Sequence, residues 1–294
     1  MIFIVSPSPT IQRTMFFSSF KTGKVNRAIS VFTHASGKGL NVARTLKALR
    51  KESTVLTHAG GSFKNIFLNL AKNEGLSLNI VPSSAEVRIC TTIVEDGRTT
   101  ELVEEAEKVS FDTEKKLIKK GLAILKKSEL LIISGKPAKG YSENVYKDLF
   151  KAAKNKNIPV IVDTRGPYLE PLLKEGGFLL KINKDEFIET FFPENNKVSE
   201  TIIAEKITEL YKHNKIISVI TDGKNDVMFF SPDIGIKRLS PPLVTSINTT
   251  GCGDAFTAAL SSALQNRKDM ETVCNFAVSI ASRAASSMIP GGLP

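Results

Sequence analysis

Short apolar runs alternate with amphipathic segments along the chain after Ser53, and this alternation restricts the possible folds more than any other feature. A short apolar run is typical of a strand buried on both faces, whereas apolar residues spaced by three and four are typical of a helix. Strands that alternate with helices predict a parallel sheet with helices on both faces. The predicted strands are residues 55–59, 130–134, 160–163, 178–182 and 216–221, and the predicted helices are residues 62–74, 112–128, 142–155 and 199–212.

Two regions break this alternation and are predicted to form strand hairpins, namely residues 11–32 and residues 87–103. The first contains a turn signal at residues 21–24 (KTGK), and the second folds about Asp96 and Gly97. An Asp-Gly pair between two strand patterns is a strong hairpin signal. Strands outside a helix-covered sheet need another surface to bury their apolar side. We therefore expect each hairpin to pack against such a surface.

Composition describes a globular chain and excludes several classes of protein. Hydrophobic residues make up 41% of the 294 residues and charged residues 24%, which are ordinary globular values. No repeat, low-complexity segment or linker divides the chain, so a single domain of residues 1–294 is expected. No apolar run approaches the roughly 20 residues that cross a bilayer, and the N-terminus lacks the pattern of a signal peptide. We expect a cytoplasmic protein with no membrane partner.

The formal net charge of +10 raises the question of nucleic-acid binding. The lysines, however, are scattered along helical stretches with no interleaved aromatic residues to stack on bases. We therefore predict no nucleic-acid partner and an anionic small substrate instead. The three cysteines are odd in number, widely spaced and without a CxxC pair, which argues against a disulfide framework and a zinc site. The three histidines show no metal-binding spacing, so no metal ligands are assigned.

A glycine-rich turn at residues 248–256 (NTTGCGDAF) precedes a predicted helix at residues 257–266. The N–H groups of a first helical turn lack intrahelical partners and coincide with the positive end of the helix dipole, which makes an anion site. Gly251 and Gly253 allow close approach of a phosphate, and Asp254 is placed to accept a proton. This pattern indicates phosphoryl transfer. The alternative is a plain loop in which Asp254 only caps the helix.

A second glycine turn, at residues 36–43 (SGKGLNVA), also precedes a helix, whose apolar stripe is Leu40, Ala43, Leu46 and Leu49. Together the two motifs resemble the G-G-K-G-x-N-x-A and D-T-x-G-A-G-D-x-F signatures of the ribokinase-like (PfkB) carbohydrate kinases. This resemblance implies a three-layer α/β/α sandwich with a mostly parallel central sheet and a small β lid. The lid strands would lie at about 11–32 and 87–103, and the lids of two subunits would clasp into a homodimer.

The resemblance also assigns the phosphoryl-transfer residues. Asp254 corresponds to the general base, and the backbone N–H groups of Gly251, Cys252 and Gly253 would contact the phosphoryl oxygens. Cys252 stands where the family more often has alanine, and its size is the simplest reason for its presence. A nucleophilic role for its thiol is the alternative, although no histidine lies in either signature to activate it.

ATP with Mg²⁺ is the phosphoryl donor that the resemblance implies. Asn183 and Glu186 match the family's N-x-x-E, which lies near the triphosphate and its metal ion. Thr221 and Gly223 resemble a turn beside the donor phosphates, although a later family glycine is Asp226 here. Asn183 and Glu186 also fit a plain helix capping box. The chain contains no G-x-x-x-x-G-K-[ST] run, so a P-loop is excluded.

The acceptor side departs most from the family. Gln12 stands where the family has an aspartate that binds sugar hydroxyls, Ser36 replaces a glycine, and Val103 replaces an asparagine. An amide offers one acceptor oxygen and two donors, so the hydroxyl pattern it recognises should differ. Lys24 and Arg27 add positive charge in the first hairpin. The residues that the resemblance places at the acceptor are Gln12, Gly37, Lys38, Asn41, Arg88 and Ser134.

Arg88 matches an arginine that binds the existing phosphate in family members that act on sugar phosphates, and its planar guanidinium suits that task. The resemblance therefore implies a kinase of the phosphofructokinase-type branch. Its acceptor would be fructose 1-phosphate, which is preferred, or tagatose 6-phosphate. One alternative is a kinase of an unphosphorylated sugar or nucleoside. The other is a non-catalytic sugar-phosphate-binding protein, for which Gln12 and Val103 are the motivation.

Overall fold

The computed structural model describes residues 1–95, 98–194, 197–265 and 269–294. Its strands are β1 (Ile2–Val5), β2 (Thr10–Phe17), β3 (Ser30–Ser36), β4 (Ser53–Ala59), β5 (Leu78–Pro82), β6 (Arg88–Glu95), β7 (Arg98–Val103), β8 (Leu130–Ser134), β9 (Val160–Asp163), β10 (Leu179–Asn183), β11 (Ile217–Thr221), β12 (Val227–Ser231) and β13 (Gly235–Leu239). Its helices are α1 (Lys38–Ala48), α2 (Lys64–Asn73), α3 (Phe111–Leu125), α4 (Lys147–Asn155), α5 (Glu170–Leu173), α6 (Lys184–Phe191), α7 (Glu200–Asn214), α8 (Cys252–Leu264) and α9 (Met270–Ala284).

The main sheet has the strand order β13-β12-β11-β10-β9-β8-β1-β4-β5. Its strands pair in parallel from β11 to β5, and β12 and β13 add an antiparallel edge. The strands predicted at residues 130–134 and 160–163 have the predicted bounds, and the other three agree within two residues. The mostly parallel sheet is thus confirmed, whereas the antiparallel edge was not predicted.

Helices cover both faces of this sheet, because successive side chains of a strand point to opposite faces. Ile2 and Ile4 of β1 belong to an apolar cluster that includes side chains from α1, α2, α8 and α9. Phe3 and Val5, which alternate with them, belong to a second cluster that includes side chains from α3, α4, α6 and α7. The three-layer α/β/α sandwich is confirmed.

The predicted hairpins form a separate four-stranded sheet, the lid, with the order β3-β2-β6-β7. The first hairpin runs from Thr10 to Ser36, slightly beyond the predicted 11–32, and the Lys24 N–H donates to the Lys21 carbonyl at the predicted turn (3.3 Å). The Asp96-Gly97 turn of the second hairpin lies outside the described residues. Both pairs of lid strands are present as predicted.

Two predicted helices begin five residues away from their predicted starts, whereas the starts of the other three agree within two residues. The helix predicted at residues 142–155 begins only at Lys147, because the Glu114 carboxylate accepts hydrogen bonds from the backbone N–H and hydroxyl of Ser142 (2.7 and 2.5 Å) and holds that segment outside the helix. The helix predicted from Thr257 begins five residues earlier, at Cys252, and the predicted end at residue 266 lies outside the described residues. The earlier start places the glycine turn directly at the helix N-terminus.

The connections of the sheet change direction at β1, which lies between β4 and β8. In open α/β sheets the cleft beyond the carboxyl ends of the strands at such a point is the usual ligand site. Polar residues end the neighbouring strands here, namely Ser134 in β8, Asp163 in β9 and Asn183 in β10. Among the described residues, no helix is both long and apolar enough to cross a bilayer.

Candidate active site

The glycine turn before α8 brings a carboxylate to the end of the sheet. Gly251 is the N-cap residue, with φ of 82°, and a Cβ there would lie 2.6 Å from the backbone nitrogen of Gly291. Only glycine fits this left-handed, crowded position. Asp254 follows in the first turn and is buried. Its Oδ2 accepts a hydrogen bond from Asn41 Nδ2 (2.8 Å), so its partner is another helix rather than an N–H that it would cap.

The second glycine turn meets the first one at this hydrogen bond. Gly37 is the N-cap residue of α1, with φ of 111°, and a Cβ there would lie 2.7 Å from the carbonyl oxygen of Ser8. The Gly39 N–H donates to Ser6 Oγ (3.1 Å), which attaches the start of α1 to the carboxyl end of β1. Asn41 and Asp254 are 213 positions apart in the sequence, yet the two N-termini converge on one place.

The pKa of the Asp254 carboxyl group lies above the usual value for aspartate. Burial raises its pKa to about 6, and the negative charge of Asp163 adds to this effect. The Lys38 cation and the hydrogen bond from Asn41 act in the opposite direction without cancelling it. A carboxylate whose pKa lies just below neutral is ionised at physiological pH and still accepts a proton readily.

Asp163 is the centre of a buried ion cluster. Its Oδ1 lies 3.1 Å from Lys38 Nζ, and its Oδ2 lies 3.1 Å from Lys181 Nζ and 3.0 Å from Thr257 Oγ1. Burial alone would raise the pKa of Asp163, but the two lysines lower it to about 2. Lys38 Nζ also lies 3.2 Å from Glu186 Oε1. Burial opposes the charge of Lys38, yet the surrounding carboxylates raise its pKa above the usual lysine value.

The four residues predicted to bind nucleotide lie at or just after the carboxyl ends of β10 and β11. Asn183 and Thr221 pair directly between β10 and β11. The Glu186 N–H donates to Asn183 Oδ1 (2.8 Å) and the Asn183 N–H donates to Glu186 Oε2 (3.5 Å), so this motif is also a capping box. Glu186 Oε1 remains directed at Lys38. Gly223 has φ of 56° and no atom within 4 Å of a would-be Cβ, so this turn is open.

Arg88 lies at the start of β6 and has neutral partners. Its Nε donates to Thr10 Oγ1 (3.0 Å), its Nη1 to the Glu104 carbonyl (2.9 Å) and its Nη2 to Ser8 Oγ (3.2 Å). No carboxylate within ion-pair distance is found for Arg88 in the described part of the chain. The guanidinium is therefore positioned by neutral acceptors and without a direct ion pair among the described residues.

The lid face that carries Gln12 is polar. Gln12 pairs with His34 across β2 and β3, so both side chains lie on one face. Gln12 Nε2 donates to Thr92 Oγ1 (2.8 Å), two residues along β6. Thr250 Oγ1 of the glycine turn donates to Glu101 Oε1 of β7 (2.8 Å). The lid thus contacts the entrance to α8 directly.

Two further predicted residues lie in the same cleft. Ser134 pairs with Asp163 in the sheet, and its Oγ is buried with no hydrogen-bond partner among the described residues. Burial, together with the charge of Asp254, raises the pKa of the Cys252 thiol to about 12. A neutral thiol is a poor nucleophile, which argues against the nucleophilic alternative. The Cys252 N–H already donates to the Thr249 carbonyl (3.2 Å).

Sequence reasoning missed several members of the site. Lys181 carried a usable signal, since a lysine inside a buried apolar strand is rare unless it is paired. Asp163 carried a weaker signal as the last residue of a buried strand. Arg44 and Glu101 looked like ordinary surface residues in sequence. Only the fold brings these four residues to the cleft.

The chain was compared with known proteins. The sequence profile described as pfkB family carbohydrate kinase matches residues 8–290. A 1-phosphofructokinase of Borreliella burgdorferi is 26% identical over 286 residues, which cover 97% of this chain and 92% of the relative.

Two solved structures show the same fold. Phosphofructokinase-2 from Escherichia coli, in complex with substrates and products, has a TM-score of 0.85 at 21% identity and covers 97% of this chain and 92% of its own. Arabidopsis thaliana ribokinase, complexed with ribose and ATP, has a TM-score of 0.75 at 19% identity and covers 99% and 94%. With the profile match spanning nearly the whole chain, these findings confirm the resemblance drawn from the two glycine motifs: the chain belongs to the pfkB family of carbohydrate kinases.

Proposed function

We propose that this protein transfers the γ-phosphoryl group of ATP to a hydroxyl of a ketohexose monophosphate, acting as one catalytic unit over residues 1–294. The observation that carries the proposal is the buried Asp254, whose pKa is raised to about 6 by burial at the N-terminus of α8. The positive charge of Lys38 acts on Asp254. Arg88, for which no direct ion pair is found among the described residues, lies at the start of the lid strand β6.

Asp254 accepts the proton of the attacking hydroxyl. The hydroxyl oxygen forms a bond to the γ-phosphorus, the bond from that phosphorus to the β–γ bridging oxygen breaks, and ADP leaves. Charge concentrates on the transferring phosphoryl oxygens, where backbone N–H groups of Gly251, Cys252 and Gly253 and the Lys38 ammonium stabilise it. The Cys252 N–H must then leave the Thr249 carbonyl that it contacts in this structure.

The acceptor's own phosphate binds Arg88, because a guanidinium held by neutral groups retains its charge for an anion. Gly37, Lys38, Asn41 and Ser134 surround the rest of the sugar, and Gln12 contacts its hydroxyls in place of the family's carboxylate. The buried, unpartnered hydroxyl of Ser134 supports this placement.

Fructose 1-phosphate is the preferred acceptor and would yield fructose 1,6-bisphosphate. The name of the Borreliella burgdorferi relative, 1-phosphofructokinase, supports this choice. Tagatose 6-phosphate, phosphorylated to the 1,6-bisphosphate, is the second candidate. It is retained because Gln12 and Val103 depart from the family pattern at the residues proposed to contact the sugar.

ATP is the donor, as the ATP-bound structure of the plant ribokinase supports, and it binds beside Asn183, Glu186, Thr221 and Gly223. No group of three or more His, Cys, Asp or Glu side chains in the described ranges forms a metal cage. Mg²⁺ usually takes one or two carboxylates together with nucleotide phosphates. Glu186 is the carboxylate that would hold the metal, since its Oε1 already pairs with a cation, Lys38 Nζ, 3.2 Å away. The metal would supply charge neutralisation of the phosphates.

The lid is the proposed dimer interface. Val31 of β3 and Leu102 of β7 are exposed large apolar residues, as are Val25 and Ile29 in the connection before β3. Val31 pairs with Met15, which is three residues after Gln12 in β2 and therefore points to the opposite face. Val31 thus lies on the face away from Gln12. Sedimentation equilibrium tests this: Leu102→Glu should convert a dimer to a monomer, and a wild-type monomer at micromolar concentration would contradict the interface.

A cytoplasmic location is also proposed. Cys90, Cys252 and Cys274 are all free thiols. Thiols persist in reducing compartments, whereas secreted proteins usually pair them. Fractionation of cells that express the tagged protein from its own gene provides the test, and recovery outside the cytoplasmic fraction would contradict the proposal.

A coupled assay of ADP release over a panel of acceptors tests the function. The panel contains fructose 1-phosphate, tagatose 6-phosphate, fructose 6-phosphate, fructose, ribose and nucleosides. We expect the highest kcat/KM with a ketohexose monophosphate. Turnover only with unphosphorylated sugars or nucleosides would favour the first alternative. Thermal stabilisation by a sugar phosphate without turnover, even with Mg-ATP at high enzyme concentration, would favour a non-catalytic binding protein.

A further inference from the structure

We propose that Arg44 is a positioning residue that orients the Asn41 carboxamide toward Asp254. The role of Asp254 as a base rests on the proposed function, but the orientation itself rests on hydrogen-bond geometry. Arg44 is one turn after Asn41 in α1, and its Nη1 donates to Asn41 Oδ1 (2.9 Å). Asn41 Nδ2 donates to Asp254 Oδ2 (2.8 Å). Both hydrogen bonds are therefore donated in the same direction, from Arg44 to Asn41 and from Asn41 to Asp254.

The arginine side chain permits only one orientation of the Asn41 amide. A guanidinium has five N–H donors and no acceptor, so the atom of Asn41 that faces Arg44 must be the carbonyl oxygen. The NH₂ group must then face Asp254. An Asn41 side chain without this restraint could turn its oxygen toward the carboxylate, which would be repulsive. Arg44 thus determines which end of the amide the carboxylate meets.

Arg44 is itself firmly held. Its Nε donates to Glu74 Oε2 (2.6 Å), its Nη1 also donates to the Pro290 carbonyl (2.6 Å), and its Nη2 donates to the Ala35 carbonyl (2.5 Å). These partners come from α2, the C-terminal segment and β3. A lysine has a single point of charge and could not satisfy this forked arrangement.

Ser36 acts on the same oxygen. Its Oγ donates to Asn41 Oδ1 (2.9 Å) and is buried. The family pattern has glycine at this position, which offers no side-chain donor. The departure at Ser36 therefore adds a second donor that points the Asn41 amide the same way as Arg44 does.

The charged groups around the network set the sign of the expected effect. Asp254 is faced by the cations of Lys38 and Lys181 and by the anion of Asp163. Arg44 is faced by Glu74, whose other oxygen lies 3.6 Å from His34 Nδ1. The hydrogen bond from Asn41 stabilises the ionised form of Asp254, so its loss should raise the pKa of that carboxyl group.

The test is a ¹³C NMR titration of the aspartate carboxyl groups in the full chain without substrate, with the Asp254 signal identified by its loss in Asp254→Asn. Asn41→Ala should raise the pKa of Asp254 by about one unit, the size expected for a hydrogen bond to a charged group. Arg44→Met should raise it by a smaller but measurable amount, because the Ser36 hydroxyl still donates to Asn41 Oδ1. The double variant should titrate like Asn41→Ala alone, because Arg44 acts through Asn41. An unchanged pKa in Arg44→Met, or additive shifts in the double variant, would overturn the proposal.

Control variants separate this role from support of the fold. Lys47→Met removes a cation of the next turn that contacts the Glu74 carbonyl but not the Asn41 side chain. Thr45→Val removes a hydroxyl that donates to the Gly291 carbonyl and to the backbone carbonyl of Asn41, but not to the Asn41 side chain. Neither should move the titration of Asp254, and a shift in either as large as that of Arg44→Met would contradict the assignment.

Ser36→Ala provides the test if Arg44→Met does not fold. It should raise the pKa of Asp254 by less than Asn41→Ala does, and no shift at all would count against the proposal. Wild-type turnover is measured separately by ADP release. A protein without kinase activity would refute the proposed function, whereas the titrations would still decide whether Arg44 orients Asn41.

Discussion

The two ends of the cleft are built differently. At the base end, Asp254 and Asp163 are buried and bonded to side chains from other parts of the fold. At the proposed acceptor end, Arg88 is partly exposed and donates to neutral acceptors, and Gln12 carries an amide where the family has a carboxylate. The residues proposed for phosphoryl transfer are thus held by ion pairs and hydrogen bonds to charged groups, whereas those proposed to choose the sugar have neutral partners.

The departures from the family pattern follow the same division. Gln12 and Val103 belong to the lid, and Val103 is exposed. Ser36, in contrast, lies at the base end and is absorbed into the hydrogen-bond network of Asn41. Gln12 is buried and also has a protein partner, Thr92. The exposed Val103 is thus the departure that the fold constrains least.

The largest expected effect is at the base end. Asp254→Asn removes the proton acceptor and should lower kcat by about 10²- to 10⁴-fold, the usual contribution of a general base. The assay is ADP release with the best sugar phosphate. Asp148→Asn, an exposed aspartate in the first turn of α4, is the matched control and should retain full activity. A loss of less than about tenfold in Asp254→Asn would contradict the role.

The contributions of Asp254 and Asp163 to folding stability should depend on pH in opposite ways. Burial raises the pKa of Asp254 to about 6, so its ionisation opposes folding increasingly as pH rises from about 4 to above 6. The lysines lower the pKa of Asp163 to about 2 despite its burial, so it stabilises the fold above about pH 4 and loses that effect as pH falls toward 2.

Urea denaturation of two variants measures this contrast. At pH 8, Asp254→Asn should raise the free energy of unfolding by about 1–3 kcal/mol, and this gain should vanish near pH 4. Asp163→Asn should lower it by about 3 kcal/mol or more, since Lys38 and Lys181 lose their common partner. Destabilisation by both substitutions at pH 8 would contradict the predicted contrast between Asp254 and Asp163.

The acceptor end should show a smaller effect. Arg88→Ala should lower kcat/KM for the sugar phosphate by about 10- to 100-fold, mainly through KM, as expected for lost hydrogen bonds to a charged group. Arg98→Ala, an exposed arginine on the same lid sheet, is the control and should change little. An unchanged KM in Arg88→Ala would indicate that the acceptor carries no phosphate at this position.

The smallest effect is expected from Gln12→Asp, which restores the family carboxylate. One altered hydroxyl contact should change the ratio of kcat/KM between fructose 1-phosphate and tagatose 6-phosphate by about two- to tenfold. Thr92→Val removes the hydroxyl that Gln12 contacts and should loosen the amide without reversing the preference. An identical kcat/KM ratio in wild type and Gln12→Asp would show that residue 12 does not contribute to sugar specificity.

The features that sequence could predict are those encoded locally. The strands at residues 130–134 and 160–163 were predicted with their bounds because all their residues are buried. The Asn183–Glu186 capping box also follows from spacing alone. The contact of Lys38 with Asp163 joins residues 125 positions apart, and no spacing rule predicts it. The late start of α4 depends on Glu114, a residue of another helix.

A crystal structure with fructose 1-phosphate and a non-hydrolysable ATP analogue tests the central claim most directly. The account predicts that the reacting hydroxyl lies 2.6–3.2 Å from the Asp254 carboxylate, the reach of a general base. The existing phosphate of the sugar should contact the Arg88 guanidinium in the same complex. A sugar bound with its phosphate away from Arg88, and with no hydroxyl near Asp254, would contradict the account.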